Sequence, residues 1–238
     1  MPPTPAVLPT LAALARPTAY AINWTPLFAG GTVGLLLVTV SAVLPVVLSL
    51  ADLTTLLRFA MVAGALGAAF LLDDPAAYGT EVVPTGRPLR WLLRVLVALP
   101  GLVIWWAALV AVTVRGAEAG VGQALPVADL TVEAAAIVAL AVGLAALARR
   151  RGGTGGTGVG GVGGVGSVVA GPGLLVGLVT LYLLPARLVF FVEPDDPRWG
   201  PAHDRWAALL VVALVCLAWA AREPVRRFGP ALARRISG

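Results

Sequence analysis

This sequence contains very little charge. Only 12% of its 238 residues are charged and none of them is lysine, whereas about a quarter of the residues of a soluble domain are charged. Hydrophobic residues make up 59% of the chain, and its mean hydropathy is +0.92. Because so few charges cannot cover a water-facing surface, the sequence predicts a protein whose outer surface faces lipid.

Cysteine and histidine are almost absent, with Cys216 and His203 the only examples. One thiol cannot form a disulfide within the chain, and one thiol with one imidazole is too few ligands for a zinc, haem or iron–sulfur site. We therefore expect no metal, cofactor or catalytic residue in this chain. His203 stands next to Asp204, and because the sequence shows no third partner we expect it to be a residue of the membrane interface.

The missing lysines leave arginine as the only basic residue, with 17 arginines, a net charge of +5 and an isoelectric point near 10.6. The arginines lie in short clusters between apolar runs rather than along one face. This distribution is typical of membrane topology and does not favour a nucleic-acid partner. The first 26 residues are rich in proline and lack the basic start and apolar core of a cleavable signal peptide.

Six apolar runs are long enough to cross a hydrocarbon layer of about 30 Å as helices. They cover residues 27–50, 52–72, 91–114, 129–148, 167–190 and 205–221. The runs are too long for strands of a barrel and do not alternate apolar with polar residues. The sequence therefore predicts an all-α integral membrane protein. Its six-helix domain at 27–221 lies between an N-terminal segment, 1–26, and a basic C-terminal tail, 222–238.

The arginines also predict the orientation of the six helices. If the N-terminus is cytoplasmic, twelve arginines fall inside, four fall outside and Arg58 falls within a span. The inside set is Arg16, Arg87, Arg90, Arg94, Arg149, Arg150, Arg151, Arg222, Arg226, Arg227, Arg234 and Arg235. Because cytoplasmic loops carry the excess of basic residues, both termini are predicted to be cytoplasmic.

The loop between the second and third spans predicts a short helix. Asp74 precedes Pro75, so that a carboxylate can cap the first amides while proline occupies the first helical position. Pro84 then ends the helix after two to three turns at the cytoplasmic surface. Arg87, Arg90 and Arg94 follow at steps of three and four residues, which predicts a basic helical stripe leading into the third span.

Two short segments, in this six-span layout, resemble the permease subunit of the type-2 ABC exporter family, particularly its small actinobacterial members. The first is Asp73-Asp74-Pro75-Ala76-Ala77 with the arginines that begin the third span. The second is Asp195-Asp196-Pro197-Arg198-Trp199, followed by Ala202-His203 and Arg205-Trp206. Unlike many members, this chain has no large outer domain between its fifth and sixth spans.

The resemblance implies a non-catalytic subunit that forms a substrate pathway in a bacterial cell membrane. A second permease, identical or related, would complete the pathway, and a separate cytoplasmic ABC ATPase would bind ATP and magnesium. The loop after the second span would be the coupling helix that contacts this ATPase. The residues placed in or beside that contact are Asp73, Asp74, Pro75, Tyr78 and Glu81. The alternative interpretation is a capped interfacial helix without a partner.

Two charged residues fall within spans, Arg58 in the second and Glu133 in the fourth. An unpaired charge at membrane depth costs roughly 2.5–3.5 kcal/mol on insertion scales. We expect Arg58 either to reach the outer headgroups or to face protein, with Glu133 as a candidate partner.

The glycine-rich stretch at 152–173 lacks the lysine of a phosphate-binding loop. It is either a flexible inner loop or, with Gly160, Gly164, Gly173 and Gly177, a surface for close helix packing. Gly30 and Gly34 offer the same packing device in the first span. Two further classes of function stay open, a membrane enzyme acting on lipid substrates and a structural or regulatory membrane subunit without transport.

Overall fold

The computed structural model describes residues 16–44, 47–73, 87–118, 120–152 and 165–222. Within these ranges the chain is helical and contains no strand. The long helices are α1 (Trp24–Val43), α2 (Leu50–Ala68), α3 (Arg87–Gly116), α4 (Val127–Gly152), α5 (Val165–Tyr182) and α6 (Trp199–Ala221). A helical stretch at 16–21 precedes α1, and a 3₁₀-helix, Gly122–Ala124, precedes α4. The all-α class that the sequence predicts is confirmed for these residues.

Five of the helices, α1, α2, α3, α4 and α6, are long and apolar enough to cross a membrane. Large apolar side chains point outward from the bundle, and Ile104 and Val215 are 69% and 62% exposed. The interior instead contains many small residues, such as the fully buried Ala60 and Ala141. Large residues outside and small ones between helices are typical of packing in lipid. The chain is therefore a multi-pass membrane protein.

The fifth predicted span is shorter than expected. The described apolar part of α5 is Val169–Tyr182, and the helix ends at Tyr182 rather than at residue 190. Pro185 follows, and because proline disfavours helical conformation in the residue before it, the chain leaves the helix here. Residues 183–198 then run without regular secondary structure to α6. A sixth crossing by α5 stays a prediction.

Local sequence explains where two helices begin. Ser49 and Asp52 form a reciprocal cap at the start of α2: the Asp52 amide donates to Ser49 Oγ at 3.2 Å, and the Ser49 amide donates to Asp52 Oδ2 at 3.0 Å. Asn23 Oδ1 accepts from the Thr25 amide at the start of α1. These caps satisfy amides that the first helical turn leaves without partners.

Glycines bring α1 and α2 into close contact. A Cβ added at Gly30 would overlap the Ala63 carbonyl, and one at Gly34 would lie 3.0 Å from the Ala60 carbonyl oxygen. The close packing predicted for Gly30 and Gly34 is therefore confirmed. By contrast, a Cβ at Gly177 would meet nothing within 4 Å.

Of the other glycines for which close helix packing was predicted, the structure describes only those on α5. A Cβ at Gly173 would meet only Leu144, at an ordinary 3.9 Å. Among the described residues, the spacing of Gly173 and Gly177 on α5 does not produce a close helix contact. Gly160 and Gly164 lie outside the described residues.

Charged contacts define two opposite ends of the bundle. The starts of α2, α4 and α6 meet where Arg58 and His203 contact Glu133, and we call this the Glu133 end. The residues that follow α2 and those that end α4 meet where Arg149 contacts Asp73, and we call this the Asp73 end.

Further contacts place parts of α1, α3 and α6 at the Asp73 end. The start of α3 contributes Arg94 to the Asp73 end, and the end of α6 contributes Trp219 through Arg150. Pro26, near the start of α1, lies against Gly67, near the end of α2. The beginning of α1 and the end of α6 therefore lie at the same end of the bundle as Asp73.

Candidate functional site

A buried ion pair joins α2 to α4 at the Glu133 end. Arg58 lies two turns into α2 and Glu133 lies in the second turn of α4. Arg58 Nε donates to Glu133 Oε1 at 2.8 Å, and Nη2 donates to Oε2 at 3.2 Å. The Glu133 side chain is fully buried and that of Arg58 is 13% exposed. This paired geometry satisfies both carboxylate oxygens, as a buried charge requires.

The third nitrogen of Arg58 is also bonded, because Nη1 donates to the Val192 carbonyl at 3.0 Å. The guanidinium lies over two aromatic rings, 5.4 Å from the centre of the Phe191 ring and 5.7 Å from that of Trp199. Arg58 therefore faces protein rather than reaching toward the headgroups. Of the two expectations for this residue, the structure shows the one in which Glu133 is its partner. What the pair does for function stays a prediction.

Trp199 and His203 of α6 also lie beside this ion pair. We call Arg58, Asp129, Glu133, Trp199 and His203 together the charge cluster. The indole of Trp199 donates to Asp129 Oδ2 at 2.6 Å. The imidazole of His203 stacks on the Trp199 ring with 4.2 Å between ring centres. His203 Nδ1 lies 3.0 Å from the Trp199 carbonyl oxygen, and Nε2 lies 3.6 Å from Glu133 Oε2.

The expectation that His203 has no third partner is wrong, while its place at the membrane interface stays a prediction. The side chain is 7% exposed and faces Glu133, whereas Asp204, its neighbour in sequence, is exposed. Residues that are adjacent on a helix point in directions about 100° apart, so Asp204 is directed away from the cluster.

Segment 187–192, the middle part of the connection between α5 and α6, is held by hydrogen bonds from side chains rather than by a sheet or helix. Four of its carbonyls accept hydrogen bonds from three side chains. Arg205 donates to the carbonyls of Arg187 and Val189 at 3.0 and 2.6 Å. Trp206 donates to that of Phe190 at 3.0 Å, and Arg58 donates to that of Val192. Irregular backbone at membrane depth is stable only where protein supplies such partners.

The turn before α6 contains an exposed local ion pair. Arg198 Nη2 donates to Asp196 Oδ2 at 2.6 Å, while its amide and Nε donate to Oδ1. These hydrogen bonds lower the pKa of Asp196 to about 2. Both residues belong to the second segment of the family resemblance, and here they bond to each other.

A second group of charges, the Asp73 corner, consists of Asp73, Arg94 and Arg149. Arg149 Nη2, at the end of α4, contacts Asp73 Oδ1 at 2.6 Å. Arg94 Nη1, at the start of α3, donates to the carbonyls of Leu72 and Asp73 at 3.1 and 2.8 Å. Asp73 and Arg94 are 8% and 5% exposed. The chain that leaves α2 is thus tied to two other helices just before residue 74.

Of the predicted coupling residues, only Asp73 lies among the described residues. Its carboxylate contacts Arg149 of the same chain. Asp74, Pro75, Tyr78 and Glu81, with the helix predicted at about 74–83, lie outside the described residues. Their contact with an ATPase stays a prediction.

Sequence reasoning missed the partners of His203 and of Asp73. A signal for the first was present, because Asp129 and Glu133 are four residues apart, as are Trp199 and His203. Each pair lies on one face of its helix, so the two faces could have been matched. No comparable signal linked Asp73 to Arg149, which are 76 residues apart.

Compared with known proteins, the chain matches no protein-family model, no curated protein and no solved structure.

Proposed function

We propose that this chain is the membrane-spanning permease subunit of an ATP-driven exporter in a bacterial cell membrane. In this proposal it crosses the membrane six times with both ends in the cytoplasm. It forms a substrate pathway with a second permease and binds a separate ABC ATPase, which supplies the ATP and magnesium sites.

The observation that carries the proposal is the Asp73 corner. Arg149 of α4 holds the carboxylate of Asp73, and Arg94 of α3 holds its carbonyl. A partner that displaced the segment beginning at residue 74 would therefore move a point shared by α2, α3 and α4. A subunit driven by a motor outside the membrane needs such a connection, because a small displacement at the contact with the motor has to be converted into a rearrangement of the packed helices.

The arrangement of the two ends supports the same proposal. The start of α1, the end of α6 and Asp73, the last described residue before segment 74–86, lie together at the Asp73 end. Arg94, Arg149 and Arg150 lie there, and in the predicted topology twelve of the 17 arginines fall on this side of the membrane. By the positive-inside rule this end is cytoplasmic, which is the side where an ATPase would be reached.

In this proposal the substrate pathway is closed at the Glu133 end in this conformation. Segment 187–192 lies against the starts of α2 and α6 and is bonded there by Arg58, Arg205 and Trp206. In the proposal, ATP binding by the partner would favour a second conformation in which these bonds rearrange. The ATPase must then contact segment 74–86 differently in the two states, since only differential contacts can shift the equilibrium between them.

The test is co-purification from the native host with tagged permease. Asp74→Arg with Glu81→Arg reverses two charges of the proposed contact, and we expect it to abolish recovery of an ABC ATPase that the unaltered chain retains. Glu193→Arg with Asp195→Arg is the matched control, because it makes the same charge change on exposed residues at the opposite end. The control should retain the ATPase.

Two results would contradict the proposal. One is recovery of no ATPase with the unaltered chain, which would favour a membrane enzyme or a structural subunit. The other is equal loss in the control, which would mean that the charge reversals act through folding rather than through a contact.

A further inference from the structure

The strongest feature outside the proposed coupling contact is the buried histidine of the charge cluster. His203 is 7% exposed, and its Nε2 makes no hydrogen bond in the described structure. A buried polar atom without a partner is unfavourable, so the environment of this ring has to be explained.

Both ring nitrogens of His203 face oxygen atoms that can only accept. Nδ1 lies 3.0 Å from the Trp199 carbonyl oxygen, and Nε2 lies 3.6 Å from the carboxylate oxygen Oε2 of Glu133. A neutral imidazole carries one N–H, so in either tautomer one nitrogen lone pair faces an oxygen lone pair. Only the imidazolium ion presents an N–H to both oxygens.

The charges that surround the ring favour the same state. From α4, Glu133 and Asp129 face the site with two negative charges, and from α2, Arg58 faces it with one positive charge. A neutral His203 therefore leaves the cluster with one uncompensated negative charge, whereas an imidazolium balances it. Uncompensated charge is costly where water is excluded.

Among the described residues, the other neighbours of His203 do not supply a charge that would compensate the cluster. On α6 itself, Asp204 is exposed, and the guanidinium of Arg205 donates to the carbonyls of Val189 and Arg187. From the connection before α6, Val192 presents a carbonyl to Arg58 rather than a charge to His203. The Trp199 ring, stacked at 4.2 Å, favours a cation over a neutral ring.

We propose that His203 and Glu133 form a proton-binding site at the Glu133 end of the bundle. The proton binds at Nε2 of His203, and the carboxylate of Glu133, with Oε2 at 3.6 Å, stabilises the resulting charge. The site stands on the geometry of this chain alone and does not require an ATPase partner.

The bound proton also affects segment 187–192. Glu133 is shared between His203 and Arg58, and Arg58 is the donor to the Val192 carbonyl. Loss of the proton places a lone pair against the carboxylate and returns a net negative charge to the cluster. The arrangement that holds the segment against α2 is then less favourable, so the acidity of the facing compartment regulates this end of the bundle.

The experiment uses the fact that His203 is the only histidine. The full-length chain, labelled with ¹⁵N-histidine and reconstituted in lipid bilayers, gives the signals of one imidazole in a solid-state NMR spectrum. We expect both ring nitrogens to carry protons at pH 7.5, where a histidine in water is about nine-tenths neutral. Asp204→Asn is the matched control, since it removes a neighbouring carboxylate that is exposed, and it should leave the spectrum unchanged.

Two variants test the role of Glu133. Glu133→Gln should give a neutral ring at pH 7.5. Because this change leaves Arg58 unpaired and can prevent folding, a triple variant with Arg58→Gln, Glu133→Gln and Asp129→Asn removes all three charges together and should also give a neutral ring. A neutral ring in the unaltered chain would overturn the proposal. An imidazolium that persists in the folded triple variant would overturn the assignment of the proton to the carboxylate beside the ring.

Discussion

Arg58 and Glu133 show how a membrane helix tolerates a full charge. Each residue alone would be unfavourable at this depth, but the pair has hydrogen bonds on all three guanidinium nitrogens and on both carboxylate oxygens. The two charges are tolerated in the interior because each compensates the other, not because of a property of either residue alone. Removing one partner and removing both should therefore have different consequences.

Arg58→Leu should destabilise the folded bundle strongly, by roughly 3–5 kcal/mol, because Glu133 stays buried without its compensating charge. Arg58→Leu with Glu133→Leu should recover most of that loss. The measurement is the free energy of unfolding in mixed detergent micelles, followed by circular dichroism as the fraction of denaturing detergent increases. A double variant less stable than the single one would contradict this account of the pair.

The sequence identified Arg58 and Glu133 as the charged residues within spans and suggested their pairing, but it could not decide between that pairing and a contact of Arg58 with the outer headgroups. Hydropathy depends only on neighbours along the chain, whereas the pairing depends on how α2 and α4 are rotated against each other. The same limit applies to His203. Its neighbour Asp204 is visible in the sequence, while its partner Glu133 is supplied by another helix.

At the scale of whole elements, the apolar runs predicted most of the helices because each run is long and contains few charges. The first and fifth runs were the exceptions: α1 ends at Val43 rather than at residue 50, and residues 188–192 are apolar but not helical. Hydropathy cannot distinguish an apolar helix from an apolar extended segment. What fixes segment 187–192 is the set of donors on α2 and α6, which only the tertiary structure brings together.

The contact between α1, α2 and α3 depends on glycine at a point where an aromatic ring enters. A Cβ at Gly64 would overlap the Trp105 ring, and the Trp105 indole donates to the Gly31 carbonyl at 2.9 Å. The ring thus fills space that glycines of α1 and α2 leave open. Sequence patterns suggested Gly30 and Gly34 for α1 but gave no indication of the ring.

Gly64→Val should destabilise the bundle by about 1–3 kcal/mol, the usual cost of overpacking a filled interior. Gly177→Val makes the same change in helix propensity at a position where a Cβ meets nothing within 4 Å, and it should have little effect. Unfolding in mixed micelles compares the two variants. Equal destabilisation of both would show that the effect arises in the helix backbone and not at the Trp105 ring.

At the scale of the whole molecule, the two ends of the bundle have different chemistry. The Glu133 end has a buried acid, a histidine and an irregular connection. The Asp73 end has arginines that bond to the chain leaving α2 and to the end of α6. The proposed exporter function depends on which of these ends faces the cytoplasm, because only that end can meet an ATPase.

Cysteine labelling in intact cells tests this orientation most directly. With Cys216 replaced by alanine, Thr80→Cys places a single thiol in the proposed coupling segment, and Asp195→Cys places one at the opposite end as the control. We predict that a membrane-impermeant maleimide labels residue 195 in intact cells and labels residue 80 only after the membrane is permeabilised. Labelling of residue 80 in intact cells would contradict the orientation and, with it, the proposed contact with a cytoplasmic ATPase.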